Sequence, residues 1–215
     1  MKRLNIFDFD GTLAYTLLPL YHVYKDAFRE LANVALTKDV WMKYYGKNFP
    51  DILVGEYNIF DKELFEEIHM YKYERYPQNY FSIITMNNAL LNDAIPINER
   101  YELKDTTNII CTLTKKEVVS SILEYFGMRD MFSAIYDRDD VLYKKPAPDI
   151  YIKAISDWYI HAKEKVDHIH IYEDSQIGLT SATNAVNELI HFLSDAHVSI
   201  HKIPEEKLWE ICISL

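Results

Sequence analysis

Apolar positions follow two different rhythms along the 215 residues. Between Arg3 and Phe9 they are nearly continuous, the pattern of a central parallel strand buried on both faces. From about Tyr15 to Tyr80 the spacing turns helical. Leu20, Val23, Tyr24, Ala27, Phe28 and Leu31 form one stripe. Leu64, Phe65, Ile68, Tyr71 and Lys72 form another after a polar start at Asp61. No stretch in this region alternates like a strand, which predicts a helical insertion with hinges near residues 13–18 and 78–86. Strands and helices then take turns. Met86–Ala94 is expected as a helix, interrupted by Ile95-Pro96-Ile97-Asn98, and Thr106–Thr112 as the second strand. Glu117–Phe126 reads as a helix closed by Gly127, and Ala134–Tyr136 as a short strand. Pro148–Tyr159 is a helix with Pro in its first turn, and Ile169–Tyr172 a fourth strand. Gln176–Val186 is expected as a helix with Asn187 at its C-terminal turn, Glu188–Leu193 as a fifth strand and Pro204–Ile213 as the last helix. The fold class is therefore α/β: a parallel sheet flanked by helices over residues 1–15 and 82–215, with an α-helical subdomain over 16–81.

Composition narrows the possible partners. The formal net charge is −10, from 33 acidic and 23 basic residues, a surface that repels long polyanions and argues against nucleic-acid polymers. A small phosphate ester stays compatible, because a bound cation and a local lysine invert the sign of a pocket. No run of 18 apolar residues occurs, and Met1-Lys2-Arg3 leads into a short strand, so no membrane role and a cytoplasmic setting are expected. The two cysteines, Cys111 in an apolar strand and Cys212 near the end, read as buried thiols and not as a disulfide. The 17 tyrosines have no evident explanation in the pattern.

Three apolar runs end in residues suited to phosphate chemistry. They are Asp8-Phe9-Asp10-Gly11-Thr12, Thr112 after Asn108-Ile109-Ile110-Cys111, and Glu173-Asp174-Ser175 after Ile169-His170-Ile171-Tyr172, with Gly178 beyond. A parallel sheet gathers such strand ends along one edge, where carboxylates and a hydroxyl meet in one crevice. Lys145 in Lys145-Pro146-Ala147-Pro148-Asp149-Ile150-Tyr151 adds a cation. In order and spacing these four segments resemble the haloacid dehalogenase-like hydrolases, in the branch with a small helical cap between the first and second motifs. Phosphoglycolate phosphatases and β-phosphoglucomutases belong to that branch. The resemblance covers roughly residues 3 to 195 and implies a Rossmann-like core with the cap at 16–81.

The resemblance also implies roles. Asp8 is the nucleophile that forms an aspartyl-phosphate, and Asp10 the general acid and base. Asp8, Asp174 and the backbone carbonyl of Asp10 would hold Mg²⁺, with Glu173 acting through water or behind those ligands. Thr112 and Lys145 would bind the phosphate. Thr114 offers a second hydroxyl for that place, but spacing back from Ile122-Leu123 favours Thr112. Lys144 lies beside Lys145, and the Lys-Pro-Ala-Pro pattern selects the latter. The chain departs from the family where Ala14-Tyr15-Thr16 replaces an Asp-Ser pair. Lys47 and His22 are the cap candidates for substrate contact. The expected activity is a Mg²⁺-dependent phosphatase for a small phosphomonoester, a sugar phosphate or a nucleotide. The alternatives are a phosphomutase, a phosphonatase using a cap lysine such as Lys25 or Lys43, and a non-catalytic binding or regulatory protein. The partner is a small phosphorylated metabolite or nucleotide, and the chain a monomer or dimer.

Overall fold

The computed structural model describes residues 2–44, 49–95, 105–162, 166–193 and 196–203. The chain divides into two compact units, Met1–Tyr15 with Thr85–Leu215, and Thr16–Ile84. In chain order the strands are β1 (Arg3–Phe7), β2 (Ala14–Tyr15), β3 (Thr85–Met86), β4 (Thr106–Cys111), β5 (Ala134–Tyr136), β6 (His168–Glu173) and β7 (His197–Lys202). The helices are α1 (Leu17–Leu31), α2 (Lys38–Lys43), α3 (Phe49–Tyr57), α4 (Lys62–Arg75), α5 (Asn88–Ala94), α6 (Lys116–Tyr125), α7 (Asp149–Ala162) and α8 (Gln176–Leu189). None of the described helices is long and apolar enough to cross a membrane.

The first unit is built on a five-stranded parallel sheet of order β5-β4-β1-β6-β7, whose strands β1, β4, β5 and β6 lie where the apolar runs predict. Central β1 is buried on both faces. Leu4 and Ile6 join Ile109, Cys111, Ile169 and Ile171 in one core layer, against Ile150, Tyr151, Ala154 and Ile155 of α7 and Ala182 and Ala185 of α8. The two alanines present no bulk, so α8 can approach the sheet closely. On the opposite face Phe7 stacks on Tyr172 with ring centroids 4.8 Å apart. There the Asn5 side-chain N–H group donates to Asn108 Oδ1 at 3.0 Å and to the Ala94 carbonyl at 3.2 Å, while Asn5 Oδ1 is buried without a hydrogen-bond partner. Burial of each large apolar side chain in these layers contributes roughly 1.5–3 kcal/mol.

The antiparallel ribbon of β2 and β3 pairs Ala14 with Met86 and Tyr15 with Thr85. Asn87 locks it in place: its backbone N–H donates to the Leu13 carbonyl (2.8 Å) and its side-chain amide to the Thr12 carbonyl (3.0 Å). Its Oδ1 accepts from Leu90 N, capping α5. Two-residue strands are too short to show alternation, so Met86 reads as helix in the sequence although α5 begins at Asn88. In the second unit Val23, Ala27 and Phe28 of α1, Ile52 and Leu53 of α3 and Ile68 of α4 are buried, while Leu31 at the end of α1 stays exposed.

The expected fifth strand at Glu188–Leu193 is not formed. Helix α8 continues through Asn187 to Leu189, because Val186 and Leu189 extend the buried stripe of Ala182 and Ala185 by another helical turn. Asn187 is accordingly no C-terminal turn residue. The fifth strand is β7, whose sequence His-Val-Ser-Ile-His-Lys carries only two apolar residues and sits at the sheet edge. Cys212 and the helix expected over 204–213 lie outside the described residues, and Cys111 is a buried free thiol.

Gly127 does close α6 as expected. Its φ is +67°, and the N–H groups of Met128 and Gly127 return to the Leu123 (2.8 Å) and Glu124 (3.0 Å) carbonyls, the Schellman arrangement. A Cβ there would meet no atom within 4 Å, so only backbone strain is at stake. Gly127→Ala is expected to lower unfolding stability by about 1 kcal/mol in urea titration, with no change in activity.

Candidate active site

Parallel pairing of β1 with β6 in the register Phe7–Tyr172 sets the residues that follow both strands side by side. The Asp8 N–H donates to the Tyr172 carbonyl at 2.9 Å and extends that pairing by one step. Asp8, Glu173 and Asp174 therefore converge, each buried, with carboxylate oxygens within 4.8 Å of one another. Gly11, at φ +84°, turns the chain back beneath them, and the Thr12 hydroxyl donates to Asp174 Oδ1 at 3.2 Å. Strand β4 delivers Thr112, whose N–H is held by the Tyr136 carbonyl at 3.0 Å.

Lys145 lies in the loop before α7, which is fastened to α8 by the Ser181 hydroxyl donating to the Ala147 carbonyl at 2.6 Å. Its ammonium donates to Asp8 Oδ1 (2.7 Å), Glu173 Oε1 (2.5 Å) and the Cys111 carbonyl (2.9 Å). Those three acceptors match its three N–H donors. Tyr151 of α7 donates its hydroxyl to the same Glu173 oxygen at 2.5 Å, while the Lys145 nitrogen stands 4.9 Å from its ring centroid. Glu173 also accepts from the Ser175 hydroxyl at 3.3 Å. Glu173 thus anchors the lysine, a role compatible with a place behind the metal ligands.

Asp10 stands apart from the buried trio. Its Oδ2 accepts from the Thr114 hydroxyl at 2.6 Å, and the Thr114 N–H in turn donates to Thr112 Oγ1 at 3.1 Å. The two hydroxyls that compete for one place in the sequence take different positions here. Thr112, buried at the strand end, keeps its own O–H, and Thr114 holds Asp10.

The electrostatics are lopsided. Burial raises the Asp8 carboxyl well above its ordinary value, and Glu173, Asp174 and Asp10 add to that, with Lys145 acting against them. Burial alone would push Lys145 down, but Asp8, Tyr151 and Glu173 outweigh it and hold the ammonium charged. Buried charge is tolerated when it is paired or coordinates a metal. The buried group of Asp8, Glu173 and Asp174 offers an all-oxygen donor set beside the Lys145 ammonium, and such a set fits a hard divalent ion.

Both cap candidates belong to the second unit. Lys47 lies outside the described residues. His22 belongs to the second unit, where its ring meets Tyr21 at 5.4 Å and partial burial, followed by Lys25, lowers its pKa. Lys43 is exposed and ion-paired with Glu56, whose hydrogen bond raises its pKa, the opposite of what a Schiff-base amine needs. Sequence reasoning missed Tyr151, Thr12 and the anchoring role of Thr114. For Tyr151 a signal was available, since it shares the inner stripe of α7 with Ala154 and Ile155.

The family model for haloacid dehalogenase-like hydrolases matches residues 5–191. The candidate phosphatase YhcW of Bacillus subtilis is 29% identical over 189 residues, covering 86% of this chain and 80% of that protein. Among solved structures, a predicted phosphoglycolate phosphatase from Haemophilus somnus superposes with a TM-score of 0.70 at 18% identity, covering 96% of this chain and 91% of that one. A point mutant of CbbY of Rhodobacter sphaeroides in complex with xylulose-1,5-bisphosphate gives 0.69 at 21% identity, covering 95% and 88%. A candidate β-phosphoglucomutase from Thermotoga maritima gives 0.59 at 19% identity, with both chains covered in full (100%). These structural likenesses concern the fold.

Two glycines are fixed by the carboxylates. A Cβ on Gly178 would fall 2.0 Å from both Glu173 oxygens, and one on Gly11 would fall 2.2 Å from Asp174 Oδ2. Glu173 is fully buried and held by Lys145 and Tyr151, so it has no room to retreat. Gly178→Ala is expected to cost about 1–3 kcal/mol in chemical denaturation. Unlike Gly127→Ala, it should also weaken divalent-cation binding followed by calorimetry.

Proposed function

The chain belongs to the haloacid dehalogenase-like hydrolase family, and from that premise we propose that it is a Mg²⁺-dependent phosphatase acting on a small phosphomonoester, a sugar phosphate or a nucleotide, through an aspartyl-phosphate. The observation that carries this reading is the buried Asp8, tethered by Lys145 through Oδ1 and flanked by Glu173 and Asp174, with Asp10 held close by on a separate hydroxyl. The names of YhcW and of the Haemophilus protein, and the bisphosphate held by CbbY, support the same class.

Lys145 occupies Asp8 Oδ1, so Oδ2 is the attacking atom. It bonds to phosphorus as the ester P–O bond breaks, and Asp10 gives its proton to the departing alkoxide. Asp10 then takes a proton from water, whose oxygen attacks phosphorus and releases inorganic phosphate and the free Asp8 carboxylate. Thr112 donates its hydroxyl to a phosphate oxygen. Asp8, Asp174 and the Asp10 carbonyl would hold Mg²⁺, which when bound offsets the charge of the carboxylates and of the phosphate. Thr114 positions Asp10: its hydrogen bond fixes the carboxyl that must serve both half-reactions.

Phosphate release from a panel of hexose phosphates, phosphoglycolate and nucleoside monophosphates, with and without Mg²⁺, tests the reading. Release is expected only with the metal, and Asp8→Asn should abolish it. A near-parental rate for that variant would overturn the nucleophile assignment. Asp10→Asn should lower kcat roughly 10²- to 10⁴-fold. Thr114→Ala should lower kcat about tenfold with little change in KM, the scale of one lost hydrogen bond to a carboxylate, while Thr114→Ser restores it. Transfer to a second hydroxyl of the sugar without phosphate release would establish the mutase instead.

A further inference from the structure

Four of the chain's histidines gather on one sheet face, away from the carboxylates. Strands β6 and β7 pair in the register His168–His197, His170–Ser199 and Tyr172–His201. Alternation sends Ile169, Ile171, Val198 and Ile200 into the core under α7 and α8, so the histidines and Ser199 share the opposite face. His170 Nδ1 lies 3.1 Å from His201 Nε2, and the Ser199 hydroxyl lies 2.8 Å from the first and 2.9 Å from the second. Each ring nitrogen is either a donor or an acceptor, and the hydroxyl has one proton. Protons alone can therefore supply two full hydrogen bonds for the three contacts.

From this triangle we propose that His170 and His201 chelate a divalent transition-metal ion of the Zn²⁺, Ni²⁺ or Cu²⁺ class, with Ser199 and water completing the shell. The bite is suitable. Two metal–nitrogen bonds of about 2.05 Å that span the 3.1 Å separation subtend roughly 100°, between the octahedral and tetrahedral angles. The ring of His201 is held in place by stacking on Tyr172, with centroids 4.8 Å apart and planes 16° from parallel. Burial, then the neighbouring His201, lowers the His170 pKa to about 4, which leaves its ring in the neutral form that ligates metals. Imidazole nitrogens select borderline ions, whereas the all-oxygen carboxylate group selects hard ones, so the two sites draw on different cations. The second pair, His168 and His197, has its rings 5.8 Å apart and lacks a bridging hydroxyl. The proposal is independent of the hydrolase reading.

Equilibrium dialysis of tag-free, full-length protein against Zn²⁺, with saturating Mg²⁺ to occupy the carboxylates, decides the matter. One equivalent of Zn²⁺ is expected, weakened at least about tenfold in His201→Ala and in His170→Gln, and unchanged in His197→Ala. Cu²⁺ bound in place of Zn²⁺ should show coupling to two imidazole nitrogens in its electron paramagnetic resonance spectrum, a readout free of any folding defect in the variants. No Zn²⁺ uptake, uptake indifferent to His201→Ala, or equal loss in His197→Ala would each overturn the assignment.

Discussion

The rest of the molecule is arranged around a concentration of negative charge. Parallel pairing of β1 and β6 places Asp8 beside Glu173 and Asp174 with no choice in the matter, since the next residue on each strand must lie opposite its neighbour. Taken alone, such a cluster destabilises the fold, because burial and mutual repulsion both penalise the charged form. Lys145 offsets part of this, and its location explains several distant features. The loop that carries it must be fastened to α8, Tyr151 must turn its hydroxyl inward, and residues 11 and 178 must lack a side chain. Removing one partner of such a network leaves an uncompensated buried charge, which costs more than the pair itself contributes.

Asp8 and Asp10 show how two identical side chains, two residues apart, acquire different chemistry. Asp8 is buried and tied to an ammonium. Asp10 is only half-buried and accepts from a neutral hydroxyl, which constrains its direction. In the proposed mechanism, this separation of environments suits Asp8 to act as the nucleophile and Asp10 to move protons. The ribbon of β2 and β3 belongs to this division, because Asn87 holds the Thr12 and Leu13 carbonyls and so fixes the turn on which Asp10 sits.

The central strands and the residues at their ends were legible in the sequence, because an apolar run ending in Asp or Thr at a turn carries both burial and chemistry in consecutive positions. Contacts that depend on elements far apart in the chain were not. Glu173 as the anchor of Lys145, Thr114 as the partner of Asp10 and the inward hydroxyl of Tyr151 join residues 22 to 104 positions apart. No local pattern encodes them. Strand β7 was hidden for another reason: as an edge strand it needs few apolar residues, while the helix before it extends its own stripe into the segment that looked like a strand.

The histidines show the same limit from the opposite side. Along the chain their spacing has no metal-ligand signature, for residues 170 and 201 are 31 positions apart. Register alone brings them together. A parallel pair that places alternate residues of one strand beside alternate residues of the other makes a two-row grid on each face. Edge position, alternation and register therefore suffice to turn scattered imidazoles into a cluster. Strand β6 then serves two ends at once: its terminus supplies hard oxygen donors and its histidine face supplies nitrogen donors. Ligand softness, and not distance, is what keeps the two chemistries apart.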